Sequence, residues 1–247
     1  MTRAKLFGVH VDLLTLEQTV ARCADLVESR QPIQHVVINA GKVVLMQRNA
    51  ALTSVVRDCD LVSADGQSIV WAGRLLGAQV PERVAGIDLM ERLLAEAEAR
   101  RWPVYFLGAR PEVLERFVEV VRERFPRIEI AGARDGYFAD DAEVADEIGG
   151  SGARLLFVGM SSPRKESFLA AQLPRMGGVF AMGVGGSFDV WAGKTKRAPL
   201  WMQRRGLEWF YRFAQEPRRM WRRYLVGNAR FVGLVVRELL AARAGGE

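Results

Sequence analysis

At 247 residues and 49% hydrophobic content the chain suits one packed α/β domain with an appendage, which excludes an intrinsically disordered protein. Its apolar runs fall far short of the roughly 18 residues a spanning helix needs. Residues 1–18 lack a signal peptide's hydrophobic stretch and cleavage site, so the expected compartment is the cytoplasm.

The chain then reads in order as short β-branched and aromatic runs separated by amphipathic stretches. Strands are predicted at 35–39, 60–64, 103–108, 128–132, 155–159 and 179–184, and helices at 41–57, 87–101, 111–125 and 163–173. Strand followed by helix, repeated, implies a Rossmann-like parallel sheet flanked by helices. Ligands of such sheets bind beyond the carboxyl ends of the strands. That rule gathers Asn39, Asp65, Gly108, Gly159 and the glycine turn 183–186 into one crevice. Cys23 and Cys59 lie in helix-like contexts without CxxC spacing or a nearby histidine pair, and read as reduced structural thiols.

Charge divides the chain near residue 193. Residues 194–247 carry 13 Lys or Arg against 4 Asp or Glu, while residues 1–193 carry 22 against 25. The reading is an α/β catalytic core over 1–193 and a helical, arginine-rich, membrane-associating appendage over 194–247. A basic tail on a mildly acidic body implies an anionic partner, either nucleic acid or a membrane surface. At 100° per residue Met220, Trp221, Tyr224, Leu225, Asn228, Phe231, Val232, Val235 and Leu239 fall on one arc, with most arginines opposite, which predicts an amphipathic helix.

Two glycine motifs fail on inspection. Gly193-Lys194-Thr195 lacks the earlier glycine of a P-loop, since position 188 is Phe188. The segment from Gly183 to Phe188 lacks the third glycine of a dinucleotide fingerprint, although Gly185 and Gly186 would let backbone approach a phosphate or ribose. Asp65 follows a strand and precedes a helix, so it suits either a helix cap, the commoner role, or a general base. Asn39 is either a turn residue or a hydrogen-bonding partner of substrate. Arg83 is either a solvated charge or a cation for a diphosphate. Neither His10 nor His35 belongs to a ligand-spaced cluster, and no DxD, HxxxH or HExxH pattern appears where a metal would need it.

Taken together, PERVAGIDL, FLGARPEV, GARDGYF, FVGMSSPRKE, VGGSFDVWAGKTKRAP and LEWFYRFAQEPRRMWRRYL resemble the WecG/TagA/CpsF glycosyltransferases, from about Gly8 to Phe231. The resemblance implies metal-independent, inverting transfer from a UDP-sugar to an undecaprenyl-diphosphate-linked sugar in cell-surface polysaccharide or teichoic acid synthesis. N-Acetylmannosamine or its uronic acid is the sugar of the best-known members. It further implies that Asp65 is the base, that Asn39 and Arg83 occupy active-site positions, and that Arg212, Arg219 and Arg222 close over the diphosphate. Gly108, Gly136, Tyr137, Gly159, Lys165, Gly185, Gly186 and Asp189 complete the candidate substrate-binding set. The chain departs from the family pattern at Val37, where threonine is usual, at Ala64, where proline is usual, and at Lys165, where glutamine is usual. A lysine there suits an acidic sugar or the diphosphate, or simply points to solvent.

No cofactor is expected beyond the UDP-sugar, which is a substrate. The expected partners are that donor, a lipid-diphosphate-linked acceptor and an anionic membrane surface. Self-association stays open. The expected location is peripheral, on the inner face of the cytoplasmic membrane. Alternatives are the same chemistry with UDP-glucose or a UDP-uronic acid, or nucleic-acid binding through the tail. The tail's apolar arc disfavours nucleic acid, because a groove-binding helix needs little more than a basic stripe.

Overall fold

A computed structural model describes residues 2–215, 217–221 and 225–244. The chain opens with β1 (Arg3–Leu6) and β2 (Val9–Asp12), an antiparallel hairpin that the periodicity above does not predict. Leu6 pairs with Val9 across a two-residue turn in which Phe7 and Gly8 both have positive φ, +53° and +83°. Such turns match the twist of the flanking strands. Helix α1 (Leu16–Glu28) follows, started by a capping box between Thr15 and Gln18.

The central sheet then begins with β3 (Ile33–Ile38), followed by α2 (Ala40–Met46), α3 (Ala50–Asp58), β4 (Leu61–Ala64) and α4 (Gln67–Leu75). The helix predicted over 41–57 is thus two helices. Asn49 separates them by capping α3, its side chain accepting from the Leu52 N–H at 2.9 Å. Next come α5 (Gly86–Arg100), β5 (Val104–Gly108), α6 (Pro111–Arg124), β6 (Ile130–Arg134), α7 (Asp141–Gly150), β7 (Leu155–Gly159), α8 (Arg164–Gln172), β8 (Phe180–Gly183) and α9 (Ser187–Trp191). All six predicted sheet strands are present and parallel, in the order β4-β3-β8-β7-β5-β6.

This order has a consequence for ligand binding. After β4 the chain crosses to build β5 and β6, then returns to insert β7 and β8 between β5 and β3. Strands β3, β8, β7 and β5 are nearly all buried because helices cover both faces, as all-parallel sheets require. One face packs on α1, α5, α6 and α9, with Phe106, Phe117, Phe157 and Phe188 in its core. The other packs on α2, α3, α4, α7 and α8. At the carboxyl end, Gly108 and Gly159 lie side by side. A Cβ on Gly108 would stand 2.9 Å from the Gly159 nitrogen, and the Gly108 φ of +121° suits glycine alone.

The tail comprises α10 (Leu200–Arg204), α11 (Glu208–Gln215), α12 (Pro217–Trp221) and α13 (Gly227–Ala244). The amphipathic helix predicted through residues 220–239 is helical on both sides of residues 222–224, which lie outside the described residues. Tyr224 of that arc lies outside the described residues. Phe231 and Val235 of α13 are buried, and Phe231 packs on Phe7 with ring centroids 5.3 Å apart. The N–H of Phe7 also donates to Glu238 at 3.4 Å. Phe231, Val235 and Leu239 of the predicted apolar arc thus dock on the core, whereas Trp221, Leu225 and Val232 are exposed. Val232, Val236 and Leu240 form a second stripe on α13 and are exposed.

Candidate active site

Asp65 stands immediately beyond β4. Its N–H donates to the Ile38 carbonyl at 2.7 Å, which extends the ladder between β3 and β4 by one bond. The N-cap of helix α4 is Gly66, whose φ is +101°, and no side chain caps the helix. The carboxylate is therefore not spent on the helix. It hydrogen-bonds with Asn39 and is half-buried. Burial pushes its pKa up to about 6, helped by the nearby Glu208 charge; Arg83, Arg212 and the Asn39 bond work the other way.

Asn39 ends β3 and caps α2, accepting from the Lys42 N–H at 3.0 Å. Its Oδ1 is committed to the helix, which leaves the amide NH2 to donate to Asp65. The cap and the contact to the carboxylate are thus served by opposite ends of one side chain.

Arg83 is no solvated surface charge. Its side chain is 19% exposed and donates through Nη1 to Glu208 Oε2 at 2.9 Å and through Nη2 to Gln203 at 3.4 Å. Glu208 is shared with Arg197, 3.5 Å away, which also grips Asp88 at 2.5 and 2.9 Å. The RAP and LEW segments therefore meet the loop carrying Arg83. Arg212 of α11 is near enough to act electrostatically on Asp65. Arg219 lies on α12 with its side chain outside the described part, and Arg222 lies outside the described residues altogether.

Lys165 is buried, which rules out the solvent-pointing alternative. Its stem runs over Gly183, where an added Cβ would meet Lys165 Cε at 2.8 Å. Its Nζ lies 2.9 Å from Glu166 Oε1, and the same oxygen accepts from Lys42 Nζ at 2.7 Å and from the Ser162 hydroxyl at 2.9 Å. Burial opposes ionisation of Glu166, but the two lysines outweigh it and hold the pKa at about 2. Sequence reasoning missed Lys42, Glu166, Gln203, Arg197 and Glu208. Glu166, Arg197 and Glu208 stand in quoted motifs, and that was the available signal.

The remaining candidates gather at the ends of β5, β7 and β8. The Gly136 N–H donates to the Ala109 carbonyl at 3.0 Å, and Gly136 sits against Gly108. Tyr137 is 71% exposed beside it. Gly185 has a φ of +54°, Gly186 precedes α9, and Asp189 on α9 faces Lys194 at 3.4 Å. Val37 is buried, next to Gly86. Cys23 and Cys59 are buried, and burial raises both thiols, the latter to about 12, so both stay protonated. Among the described residues no group of three or more His, Cys, Asp or Glu could hold a metal ion, and no helix is long and apolar enough to cross a membrane.

A parallel sheet with its polar side chains and glycine turns collected at one end defines an α/β enzyme acting at the strand termini. The chain belongs to the glycosyl transferase WecG/TagA/CpsF family, whose profile matches residues 4–245. It is similar to the N-acetylglucosaminyldiphosphoundecaprenol N-acetyl-beta-D-mannosaminyltransferase of Bacillus spizizenii, with 39% identity over 178 residues, 72% of this chain and 69% of the relative. The enzyme of the same name from Bacillus subtilis is 35% identical over 171 residues, 69% of this chain and 66% of the relative. The protein is a glycosyltransferase.

Proposed function

We propose that the enzyme transfers N-acetylmannosamine, or a close relative, from a UDP-sugar to an N-acetylglucosamine carried on undecaprenyl diphosphate, with inversion and without a metal. The observation that carries this reading is the Asp65 carboxylate, with a pKa pushed up to about 6, held by Asn39 and flanked by Arg83 and Arg212. A base poised near operating pH suits proton removal from a sugar hydroxyl.

In the proposed step Asp65 takes the acceptor hydroxyl proton as that oxygen bonds to the anomeric carbon. The bond from that carbon to the diphosphate breaks on the opposite face, and its electron pair leaves with UDP. Arg83 and Arg212 stabilise the charge that develops on the leaving group, the task a metal performs in other sugar-nucleotide enzymes. Residues 194–247 would act as an appendage that brings the core to the inner face of the cytoplasmic membrane. Its support is the exposed Trp209, Phe210, Trp221, Leu225 and Val232.

The test is a panel of UDP-sugars offered with a short-chain lipid-diphosphate-GlcNAc acceptor, read by UDP release and by NMR of the anomeric proton. Transfer from UDP-N-acetylmannosamine in EDTA, giving a β-linkage from an α-donor, is the expected result. Retention of configuration, or activity that returns only with magnesium or manganese, would overturn the mechanism. A preference for UDP-glucose or a UDP-uronic acid would keep the mechanism and change the sugar.

A further inference from the structure

A pocket of about 350 Å³ opens between α4 and α10, lined by Gln67, Arg74, Arg83, Gln203 and Arg204. It adjoins the base, for Gln67 is two residues from Asp65 and Arg83 acts on its charge. We infer that this pocket binds the diphosphate of the lipid-linked acceptor, an inference that rests on the transfer reaction proposed above.

Charge comes first. Three arginines border the cavity; Arg83 serves the leaving group in the step above, and Arg74 and Arg204 remain for the acceptor. Arg83 is shared with Glu208, and the bordering Glu82 has one oxygen taken by the Leu16 N–H at 2.6 Å. Arg74 donates only to the backbone carbonyls of Val80 and Pro81, at 3.4 and 3.0 Å. Neither Arg74 nor Arg204 pairs with a carboxylate among the described residues. Unpaired guanidinium groups converging on a cavity suit a dianion with several acceptor oxygens.

The rim supplies the second observation. Gln67, Trp71, Arg74 and Leu75 recur at helical spacing on one side of α4, and Trp71 and Leu75 are 53% and 65% exposed. Trp201, on α10, is 57% exposed. The wall is held close by Gly206, where a Cβ would stand 2.7 Å from the Gln67 Cβ and 3.5 Å from the Trp71 ring. An anion site edged by indole and leucine fits a diphosphate esterified to a hydrocarbon chain. A nucleoside diphosphate offers no such chain.

Position supplies the third. Helix α4 leaves the edge strand β4, whereas the glycine turns lie at the ends of β8, β7 and β5 on the far side of β3. Asp65 follows β4 and so stands on the α4 side of β3. The acceptor hydroxyl must come within reach of the base, so an acceptor site on the α4 side puts the nucleophile where Asp65 can take its proton.

The test compares full-length Arg204→Gln, Arg74→Gln and the double variant with wild type, using a farnesyl-diphosphate-linked GlcNAc acceptor without lipid. Each single change is expected to raise the acceptor KM about tenfold, the factor for one lost charge-assisted contact, and to leave the donor KM unchanged. Farnesyl diphosphate binding, followed by calorimetry, should be lost in the double variant, while inorganic pyrophosphate should bind wild type more weakly than farnesyl diphosphate. The Arg204 side chain makes no bond to the described residues, so its variant folds even if Arg74→Gln does not. A changed donor KM with an unchanged acceptor KM would overturn the assignment. So would variants that lose only sedimentation with phosphatidylglycerol vesicles, since the pocket would then serve lipid headgroups. If wild type transfers no sugar from any donor, the functional reading fails, and the farnesyl diphosphate measurement still decides the pocket.

Discussion

Arg83 Nη1 lies 2.9 Å from Glu208 Oε2, and this ion pair joins the loop after α4 to the tail helix α11. Its two members act on Asp65 with opposite sign, Glu208 raising the pKa and Arg83 lowering it. The appendage thereby helps to set the protonation of a residue in the core.

Glu208→Gln should therefore lower the Asp65 pKa and move the acid limb of kcat/KM against pH below its wild-type midpoint near 6. Arg83→Gln should move the same limb upward, besides lowering the plateau. A pH–rate profile for each variant checks both signs. Limbs that move together, or not at all, would detach Glu208 from the base.

Asp65→Asn should lower turnover by a factor on the order of 100 or more, the scale for losing a general base. It should also stabilise the fold, and the sign follows from linkage. The folded-state pKa, about 6, exceeds the unfolded value, so the native state holds this proton over a range where the unfolded chain has released it. Stability then falls as pH rises from about 4 to about 6, by at most about 3 kcal/mol from this group. Urea midpoints at pH 7.5 should be higher for the Asp65→Asn variant than for wild type, and the gap should close by about pH 4. A destabilised variant would return Asp65 to a structural role.

Lys165→Gln touches a buried cluster, not a surface. Glu166 would keep Lys42 and Ser162 as partners, so the expected cost is about 1–3 kcal/mol. Glu166→Gln leaves two buried lysines without a carboxylate and should cost about 3–5 kcal/mol. Denaturant titration ranks the two. The donor panel applied to Lys165→Gln asks separately whether the extra cation selects the sugar. A Lys165 variant more damaging than the Glu166 variant would contradict the charge balance described above.

The sheet was legible because its strands are continuous apolar runs ending in glycine or polar residues, and burial on both faces produces that pattern. The β1–β2 hairpin escaped because its strands are four residues each and its turn places Phe7, not Asn or Gly, at a positive φ. Asp65 and Asn39 were visible as residues at strand ends. Glu208, Lys42 and Glu166 were not, since their roles depend on partners up to 125 residues away and no local period encodes that. Solvent exposure stayed open for Lys165 for the same reason: its burial depends on the bare Cα of Gly183 and on a glutamate shared with α2.

The two faces of α13 should separate folding from membrane attachment. Phe231 and Val235 face the core, with Phe231 against the Phe7 ring, and Phe7 holds an unusual backbone conformation at the hairpin turn. Phe231→Ser removes a buried aromatic ring and leaves both a cavity and a hydroxyl in apolar surroundings, so it should destabilise the protein by about 3–5 kcal/mol. On the other side Val232, Val236 and Leu240 repeat every fourth residue with exposures of 59%, 49% and 61%. Replacing these three with serine removes no core contact and should change stability by less than about 1 kcal/mol. If this stripe enters the lipid interface, the triple variant should sediment less with phosphatidylglycerol vesicles, because binding there scales with buried apolar area as well as with charge. Its turnover of a water-soluble acceptor should match wild type, since the triplet is exposed and is placed in no step of the transfer. Unchanged sedimentation would move the lipid contact to Trp209, Phe210 and Trp221, the other exposed aromatic side chains of the tail helices that follow Gly206.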